Sequence, residues 1–437
     1  MLLAATHTAA SNTPPRVLRY ISGLDGFAGQ ICFGLVLEDR DGIPHSICNL
    51  GNHDAALCSA AADTASTPQQ LRLALATADN VAAQKIDAAA AACMETLPQD
   101  RLGDVVRAPA GISLQQLASG QRFIVGIGLN YREHREETGA DTHVGLAPDE
   151  VLVFPKFVEP TGAYSPVRPG ARVGAVSAQR VQLLDYEVEL GMLLLQDLDL
   201  AAPPASYTAF IESVAFFTAN DVSDREPIIL DSEFGYTRGK SHPSYFPAGP
   251  WMVHGRHLQP QAPGEGRDLL ELGLVVQEPA TRQRAARARQ LQSSSTDRMI
   301  LGPWQIINML AARYRQGLYT CMRDAAGEPR YTHTPQGIIP AGSIILTGTP
   351  GGTALREPGL LQKLGLFLRG GLTLSGARHR MVEDSESSIH DSRYLEPGDQ
   401  VETSITLLGL QRWSVVQDPT ITRYGTATTG ACSTAAE

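Results

Sequence analysis

The sequence of 437 residues has no excess of positive charge and no long apolar run. Its formal net charge of −10 argues against nucleic acid or an anionic membrane as the main partner. No apolar run reaches the roughly 18 residues that a membrane span needs, so none is predicted. The first residues lack a basic region and a sustained apolar stretch, so no signal peptide is expected. The predicted compartment is therefore the cytoplasm.

Cysteine is also scarce, with six residues and no Cys-x-x-Cys pair. A long chain with so few cysteines is not expected to depend on a disulfide framework. His-Glu-x-x-His, clustered Cys and His, and glycine-rich dinucleotide motifs are absent too, so nothing indicates a zinc or dinucleotide site. A short basic run contains Arg282, Arg284, Arg287 and Arg289. It is interpreted as a solvated flexible loop, because like charges repel.

The residues present divide the chain into a small amino-terminal α+β domain, 1–120, and a larger domain, 121–424. Residues 1–16 and 425–437 are rich in Ala, Thr and Ser and are predicted to be mobile tails. Between residues 16 and 50, β-branched and aromatic residues punctuated by glycine predict strands and hairpins, with a turn at Asp41-Gly42. The Ala- and Leu-rich segment 68–96 predicts a helix.

From Gln121 onward, short β-rich runs alternate with proline and glycine clusters. The predicted strands are 123–129, 151–154, 183–195, 215–219, 272–276, 343–346, 400–407 and 412–416. One helix is predicted within 296–313, with its main part after Pro303. Many strands and few helices predict an α+β, mostly β fold, closed or rolled rather than doubly wound.

Three acidic residues alternate along one predicted strand. Asp185, Glu187 and Glu189 fall on one face, because successive strand side chains point to opposite sides. A half-exposed strand with a solvated acidic face would show the same pattern. However, the segment continues into an apolar run, and buried carboxylates repel each other unless a cation neutralises them. Mg²⁺, Mn²⁺ or Ca²⁺ suits such an oxygen site. Asp221 is a further ligand candidate, although alone it would fit a helix cap.

A histidine follows the first predicted strand of the larger domain. Asn130 is interpreted as the cap of a short helix that ends at Gly139. Within that helix His134 and Glu137 are neighbours, and a carboxylate beside an imidazole stabilises the imidazolium formed when the ring takes a proton. A surface histidine in a salt-bridged helix is the alternative interpretation.

Together these motifs closely resemble the fumarylacetoacetate hydrolase family. The order is Gly-Leu-Asn-Tyr-x-x-His-x-x-Glu, then Asp-Tyr-Glu-x-Glu-Leu, then Asn-Asp-Val-Ser-x-Arg. Further matches are Lys240-Ser241, Pro-Ala-Gly-Pro-Trp, Thr-Gly-Thr-Pro and Leu-Glu-Pro-Gly-Asp. The likeness extends from about residue 123 to residue 413, in the family's usual order.

The resemblance implies a role for each matching position. Metal ligands would be Glu187, Glu189 and Asp221, holding Mg²⁺, Mn²⁺ or Ca²⁺. His134 and Glu137 would activate water, and Lys240 would polarise a substrate oxygen. The implied substrate contacts are Arg225, Thr349 and Tyr131, and Asp185 would lie behind the ligands. The family fold is a mixed β-roll, usually a homodimer.

The expected activity is metal-dependent hydrolysis of a C–C bond in an acylpyruvate-like or other 1,3-dicarbonyl oxo-acid. A lyase, either an oxaloacetate-type decarboxylase or a 2-oxo acid hydratase or dehydratase, is the alternative, since one scaffold supports several chemistries. A non-catalytic binding protein is less favoured, because all the implied site residues are present. The sequence departs from the family pattern at Asp224 and Glu226, and the segments 315–335 and 355–394 look inserted and are expected to reshape the pocket.

Overall fold

A computed structural model describes residues 13–60, 65–84, 92–139, 147, 150–171, 183–231, 234–280, 285–324, 326–387 and 393–422. The greater part of each predicted tail lies outside these residues. The chain is α+β with mostly strands, which confirms the predicted fold class. All eight strands predicted after Gln121 are present, with shifted ends and with one predicted strand divided in two.

A large mixed sheet forms the centre of the molecule. Its strands in spatial order are Met94–Thr96, Ile43–Asn49, Ile31–Arg40, Val17–Ile21, Pro247–His254, Val214–Asn220, Val188–Leu194, Ile344–Leu346, Ile124–Gly128 and Leu152–Pro155. Cys58–Ser59, Val106–Arg107 and Thr161–Gly162 pair beside this path. Most pairs are antiparallel, but Ile344–Leu346 runs parallel to Ile124–Gly128. Strands from the proposed amino-terminal domain and from the larger domain therefore share one sheet, through the Val17 and Met252 pairing.

A second sheet packs against the first and consists of Arg287–Ser295, Glu271–Glu278, Gln400–Ile405 and Gly409–Ser414. Side chains connect the two sheets: Gln411 Nε2 donates to the carbonyl oxygen of Thr218 at 2.7 Å, and Asn220 Nδ2 donates to Thr403 Oγ1 at 3.0 Å. The loop predicted around the arginine run is wrong where the structure describes it. Arg287 and Arg289 lie in a strand, and both pair with Glu278, which offsets part of their positive charge.

Shorter elements complete the described fold. The two-stranded pairs are Gly170–Ala171 with Asp418–Thr422, Leu184–Asp185 with Ser223–Asp224, Leu198–Asp199 with Ile338–Ile339, and Cys321–Arg323 with Pro329–Tyr331. The α-helices are Pro68–Ala83, Leu102–Val105, Leu114–Ala118, Arg132–Thr138, Tyr207–Glu212, Arg225–Leu230, Gly235–Lys240, Pro303–Arg315, Leu360–Arg369 and Leu374–Ser387. The 3₁₀ turns are Leu50–Asn52, Ala55–Leu57 and Thr296–Arg298. Within the described ranges, no helix is both long enough and apolar enough to cross a membrane.

The helix predicted over 68–96 begins as expected and ends early. Thr67 Oγ1 accepts from the backbone N–H of Gln70, and Pro68 occupies the first helical position. The helix ends at Ala83, and Met94–Thr96 is instead a strand that pairs with Ile43–Asn49. An Ala-rich composition favours a helix, but a free edge of the sheet supplies hydrogen bonds that override this preference.

The expectation that the chain has no disulfide framework is wrong. Disulfides join Cys32 to Cys58 and Cys48 to Cys93. Cys32 and Cys58 are direct cross-strand partners with Cα atoms 4.1 Å apart, a separation typical of a non-hydrogen-bonded antiparallel pair. Strand pairing thus brings together cysteines far apart in sequence. Disulfides persist in oxidising compartments, so the cytoplasmic assignment stays a prediction.

Candidate active site

The acidic cluster is assembled by strand pairing at the end of the carboxylate strand, Val188–Leu194. Val188 is paired with Asn220, so the next residue, Asp221, lies beside Glu187, and its N–H donates to the Glu187 carbonyl at 2.9 Å. Carboxylate oxygens of Glu187, Glu189 and Asp221 all lie within 4.8 Å of one another, and the three residues are buried. The structure therefore brings together the three predicted ligands.

Two buried lysines hold this cluster. Lys240 Nζ donates to Glu187 Oε2 at 2.6 Å, to Asp221 Oδ2 at 2.7 Å and to Ser223 Oγ at 2.9 Å. Lys156 Nζ donates to Asp221 Oδ1 at 2.5 Å and to two backbone carbonyls. An ammonium group has three donors, so every N–H of Lys240 is taken by a protein oxygen. Lys240, which was predicted to polarise a substrate oxygen, lies beside the three predicted ligands, and Lys156 is a participant that the sequence did not indicate.

The electrostatics of the two strand carboxylates differ sharply. Burial raises the pKa of Glu187, but the nearby Lys240 and Arg225 outweigh this and hold that pKa at about 2. Burial together with the negative charges of Asp221 and Glu187 raises the pKa of Glu189 well above its usual range. Glu189 accepts one hydrogen bond, from the N–H of Gly348 at 2.8 Å. Without a further cation nearby, Glu189 is therefore the carboxylate that holds a proton most readily.

Asp185 and Arg225 form a second buried ion pair behind the cluster. Arg225 Nε donates to Asp185 Oδ2 at 2.7 Å, and Arg225 Nη2 donates to Glu187 Oε1 at 2.5 Å. Asp185 also accepts from the backbone N–H groups of Ala354 and Leu355. Asp185 therefore orients Arg225 and a loop, and it is joined to Glu187 of the cluster through Arg225. Asp224, one of the departures from the family pattern, caps the helix that begins at Arg225.

His134 lies on the short helix Arg132–Thr138 and is buried. Burial lowers the pKa of His134 to about 4, so its imidazole is neutral at neutral pH. Its Nδ1 atom has no hydrogen-bond partner among the described residues. Glu137 does not supply one: Oε2 accepts from the N–H of Gly352 at 2.6 Å, and Oε1 accepts from Arg356 at 3.2 Å. The two residues share a helix as predicted, but the expected carboxylate–imidazole hydrogen bond is not formed here.

The residues at the start of that helix differ from their predicted use. Asn130 is not the helix cap, which is Tyr131 with no capping side chain. Instead, the Asn130 amide donates to the carbonyls of Leu301 and Thr347 and accepts from the N–H of Leu301, each at 2.8 Å. It thereby ties three segments together. The Tyr131 side chain is fully buried, and its hydroxyl has no partner among the described residues.

Thr349 lies at the cluster because Gln292 holds it there. Gln292 Nε2 donates to Thr349 Oγ1 at 2.8 Å and to the Pro350 carbonyl at 2.9 Å, while its Oε1 accepts from the N–H of Val188. One side chain thus links the second sheet, the carboxylate strand and the loop 347–352. Sequence reasoning missed Gln292 and Lys156. A lysine directly after the apolar strand Leu152–Pro155 was a usable signal, whereas Gln292 offered none.

The site opens into a cavity of about 720 Å³. The predicted site residues on its wall are His134, Glu187, Glu189, Arg225, Lys240 and Thr349. Much of the remaining wall comes from residues between 355 and 381, all of which lie within the segment 355–394 that looks inserted. Of the predicted site residues, Glu137, Asp221 and Tyr131 do not line the cavity; Glu137 is next to Thr138, which does, and Asp221 accepts a hydrogen bond from Lys240, which also does. The arrangement can hold a cation on oxygen ligands next to a neutral imidazole and two cationic side chains.

Comparison with known proteins assigns the larger part of the chain to a family. Residues 123–416 match the family described as fumarylacetoacetate (FAA) hydrolase, C-terminal. A protein of Burkholderia cenocepacia, assigned by name as a hydrolase without a stated substrate, is 28% identical over 217 residues, which is 49% of this chain and 62% of that protein. A similarly named protein of Burkholderia lata is 27% identical over 240 residues, or 52% and 70% of the two chains. The matched region thus spans less than two thirds of the first of these relatives.

Solved structures show the same fold. A crystal structure from Mycobacterium abscessus, assigned as a 2-hydroxyhepta-2,4-diene-1,7-dioate isomerase, aligns with a TM-score of 0.50 and 18% sequence identity. The alignment covers 93% of this chain and 99% of that structure. At this identity the likeness concerns the fold and not the reaction.

Proposed function

Because the chain belongs to the fumarylacetoacetate hydrolase family, we propose that it is a divalent-metal-dependent hydrolase acting on a 1,3-dicarbonyl oxo-acid. The reaction adds water across the C–C bond of an acylpyruvate-like substrate and yields a carboxylic acid and a 2-oxo acid. The observation that carries the proposal is the buried cluster of Glu187, Glu189 and Asp221, of which Glu187 and Glu189 line one cavity together with His134. A small-molecule oxo-acid substrate is the proposed partner.

The charges at the site fit a divalent cation. With all of them ionised, the carboxylates at the cluster and behind it would contribute four negative charges, from Asp185, Glu187, Glu189 and Asp221. Positive side chains contribute three, from Lys156, Lys240 and Arg225. The elevated pKa of Glu189 marks the carboxylate that this set leaves uncompensated. An all-oxygen ligand set of this kind suits Mg²⁺, Mn²⁺ or Ca²⁺.

The proposed ligands are Glu187, Glu189 and Asp221. A cation bound there would polarise the substrate carbonyls and supply positive charge for the departing enolate. Arg225 and Thr349 line the same cavity and would orient the carboxylate and carbonyl oxygens of the substrate. Lys240 would stabilise a developing oxyanion, provided that one of its three N–H donors leaves Glu187, Asp221 or Ser223.

His134 is the proposed general base. A neutral imidazole is the form that takes a proton from water, and burial keeps His134 neutral. The water oxygen would attack the acyl carbonyl carbon. The bond from that carbon to the central carbon would then break, with its electron pair passing into the enolate of the 2-oxo acid. Glu137 would assist by stabilising the imidazolium, which requires it to leave Gly352 and Arg356.

The test is a substrate screen with Mg²⁺ or Mn²⁺, following loss of enol absorbance and identifying products by mass spectrometry. The panel contains acylpyruvates, fumarylpyruvate, fumarylacetoacetate, oxaloacetate and 2-oxo-3-deoxy sugar acids. We expect cleavage into two acids, abolished by chelator and by Glu189→Gln. Glu271→Gln, a matched change on an exposed strand position, should retain activity. Full hydrolytic turnover by His134→Asn would refute the proposed base.

One observation favours a second candidate, an oxaloacetate-type decarboxylase. The carboxylate–imidazole hydrogen bond is not formed, because Glu137 is held by Gly352 and Arg356. Decarboxylation needs enolate stabilisation but no water-activating pair. In the same screen, loss of carbon dioxide with the diketones untouched would support this candidate.

Homodimer formation is a further proposal, based on family membership alone. Light scattering coupled to size-exclusion chromatography measures the mass in solution. A mass near twice 46.8 kDa would support the dimer, and a mass of 46.8 kDa would refute it.

A further inference from the structure

The catalytic cavity has two chemically different ends. One end carries the carboxylates and the basic side chains described above. The other end is apolar and is built from two sources: the helix Arg225–Leu230 supplies Ile228 and Ile229, and two later helices supply Leu364, Phe367 and Met381. We call these later helices, Leu360–Arg369 and Leu374–Ser387, the pocket helices.

The pocket helices are anchored beside the active site. Val382 is buried in a small apolar cluster with Ile229 and Leu183, and Met381 packs against it. Arg378 Nη1 donates to the Leu230 carbonyl at 3.3 Å. Leu183 directly precedes the short strand Leu184–Asp185, which leads to Glu187. This apolar wall is therefore attached to the same framework as the proposed metal ligands. The wall is therefore a defined part of the cavity.

The cavity is much larger than the charged end requires. Its volume of about 720 Å³ lies in the range of pockets that enclose drug-sized ligands, whereas a pyruvate unit has six heavy atoms. Leu364 and Leu374 both line the cavity and are 55% and 74% exposed. Apolar side chains of this size are stabilised when a ligand covers them. The remaining volume is thus suited to an apolar group.

We infer that the substrate carries a large apolar acyl group, such as a medium-length alkyl or aryl chain, that lies between the pocket helices and Ile228. The inference rests on the proposed function, since that function places the oxo-acid end at the carboxylates. In the products, the apolar group leaves as the carboxylic acid and the small fragment leaves as the 2-oxo acid.

The charges near the apolar wall do not call for a second substrate carboxylate. Arg356 pairs with Glu137, and Lys363 pairs with Glu357. Arg378 donates to a backbone carbonyl. These cations already have acceptors in the protein, so an acyl chain ending in a carboxylate would have to displace them.

The first experiment compares kcat/KM for acylpyruvates of increasing chain length, from acetylpyruvate to decanoylpyruvate, and for benzoylpyruvate. Burial of a methylene contributes about 0.8 kcal/mol, so each added methylene should raise kcat/KM roughly threefold to fourfold until the cavity is filled. An acylpyruvate of equal length that ends in a carboxylate should be a poorer substrate. Equal or falling kcat/KM with length, or a preference for the carboxylate-ended chain, would overturn the inference.

The second experiment uses matched variants of one pocket helix. Phe367→Ala and Leu364→Ser remove cavity-lining groups and should lower the long-chain to short-chain ratio of kcat/KM at least tenfold. Leu361→Ser is the control, because Leu361 lies on the same helix, is 86% exposed and does not line the cavity. An unchanged ratio in both lining variants would contradict the assignment.

A binding assay separates failure of this inference from failure of the proposed function. Calorimetry measures the affinity of pyruvate, 2-oxohexanoate and 2-oxododecanoate without turnover. If no acylpyruvate is cleaved but affinity still rises with chain length and falls in Phe367→Ala, the apolar site stands and the hydrolase proposal fails. If acylpyruvates are cleaved but affinity is independent of length, the apolar site fails alone.

Discussion

Replacing Glu189 by glutamine tests whether the acidic cluster is a metal site. The oxygens of the three carboxylates lie within 4.8 Å of one another. Two unit charges at that distance repel by about 3 kcal/mol at an effective dielectric constant of about 20. Without a cation, Glu189 avoids this cost by holding a proton, as its raised pKa indicates. Glutamine keeps the size of the side chain and an oxygen acceptor for the N–H of Gly348.

The magnitude follows from linkage. A metal at a hundred times its dissociation constant stabilises the folded state by about 2.7 kcal/mol. At about 2.1 cal/mol/K per residue, unfolding 437 residues as one unit has an entropy of roughly 0.9 kcal/mol/K, so the wild-type Tm should rise about 3 °C. Glu189→Gln should melt no lower than wild type in chelator and should gain less than about 1 °C from Mg²⁺ or Mn²⁺.

The assay is differential scanning calorimetry in chelator and in a metal titration, with Glu271→Gln as the control for loss of a carboxylate at an exposed position. The control should show the wild-type response to metal. A Glu189→Gln protein that is destabilised in chelator and still gains the full metal-dependent shift would show that the cluster is a structural network and not a cation site.

Three further predictions concern stability. Asp185→Ala leaves the buried Arg225 guanidinium without its main partner and should lower the free energy of unfolding by about 3–5 kcal/mol in urea titrations. His254 has a pKa lowered to about 4 by burial, so its contribution to stability is present above pH 6.5 and is lost as pH falls towards 4; His254→Gln should flatten that part of the Tm–pH profile. Cys48→Ser opens the Cys93 disulfide, which closes a 45-residue separation, and should cost about 4 kcal/mol in calorimetric or urea unfolding.

Each of these has a simple check. Glu402→Ala breaks a partly exposed ion pair with Arg412 and should cost about 1 kcal/mol or less. A loss of stability in Asp185→Ala no larger than this would contradict the buried-charge argument. An unchanged acid limb in His254→Gln would show that other groups dominate that pH range. Thiol titration of the unfolded, unreduced protein should find Cys48 and Cys93 unreactive, and reactive thiols at these positions would refute the pairing.

The local pattern of the sequence was enough to predict the strand that carries Glu189 and the start of one long helix. Strand alternation placed Glu187 and Glu189 on one side, and proline chemistry placed the start of the helix Pro303–Arg315. Such features depend on backbone geometry within a few residues, which a sequence displays directly. The family motifs added the expectation that Asp221 and Lys240 belong to the same site, and the structure brings these residues to the same cluster.

Only the tertiary structure decided which distant groups meet. Gln292 reaches Thr349, Lys156 reaches Asp221, and Gly352 takes the Glu137 oxygen that was expected to face His134. The cysteine pairs followed strand register in the same way. Such contacts join residues from 26 to 215 positions apart, so their geometry depends on the path of the whole chain. Local conformational preference, which is all that a short segment encodes, carries no information about that path.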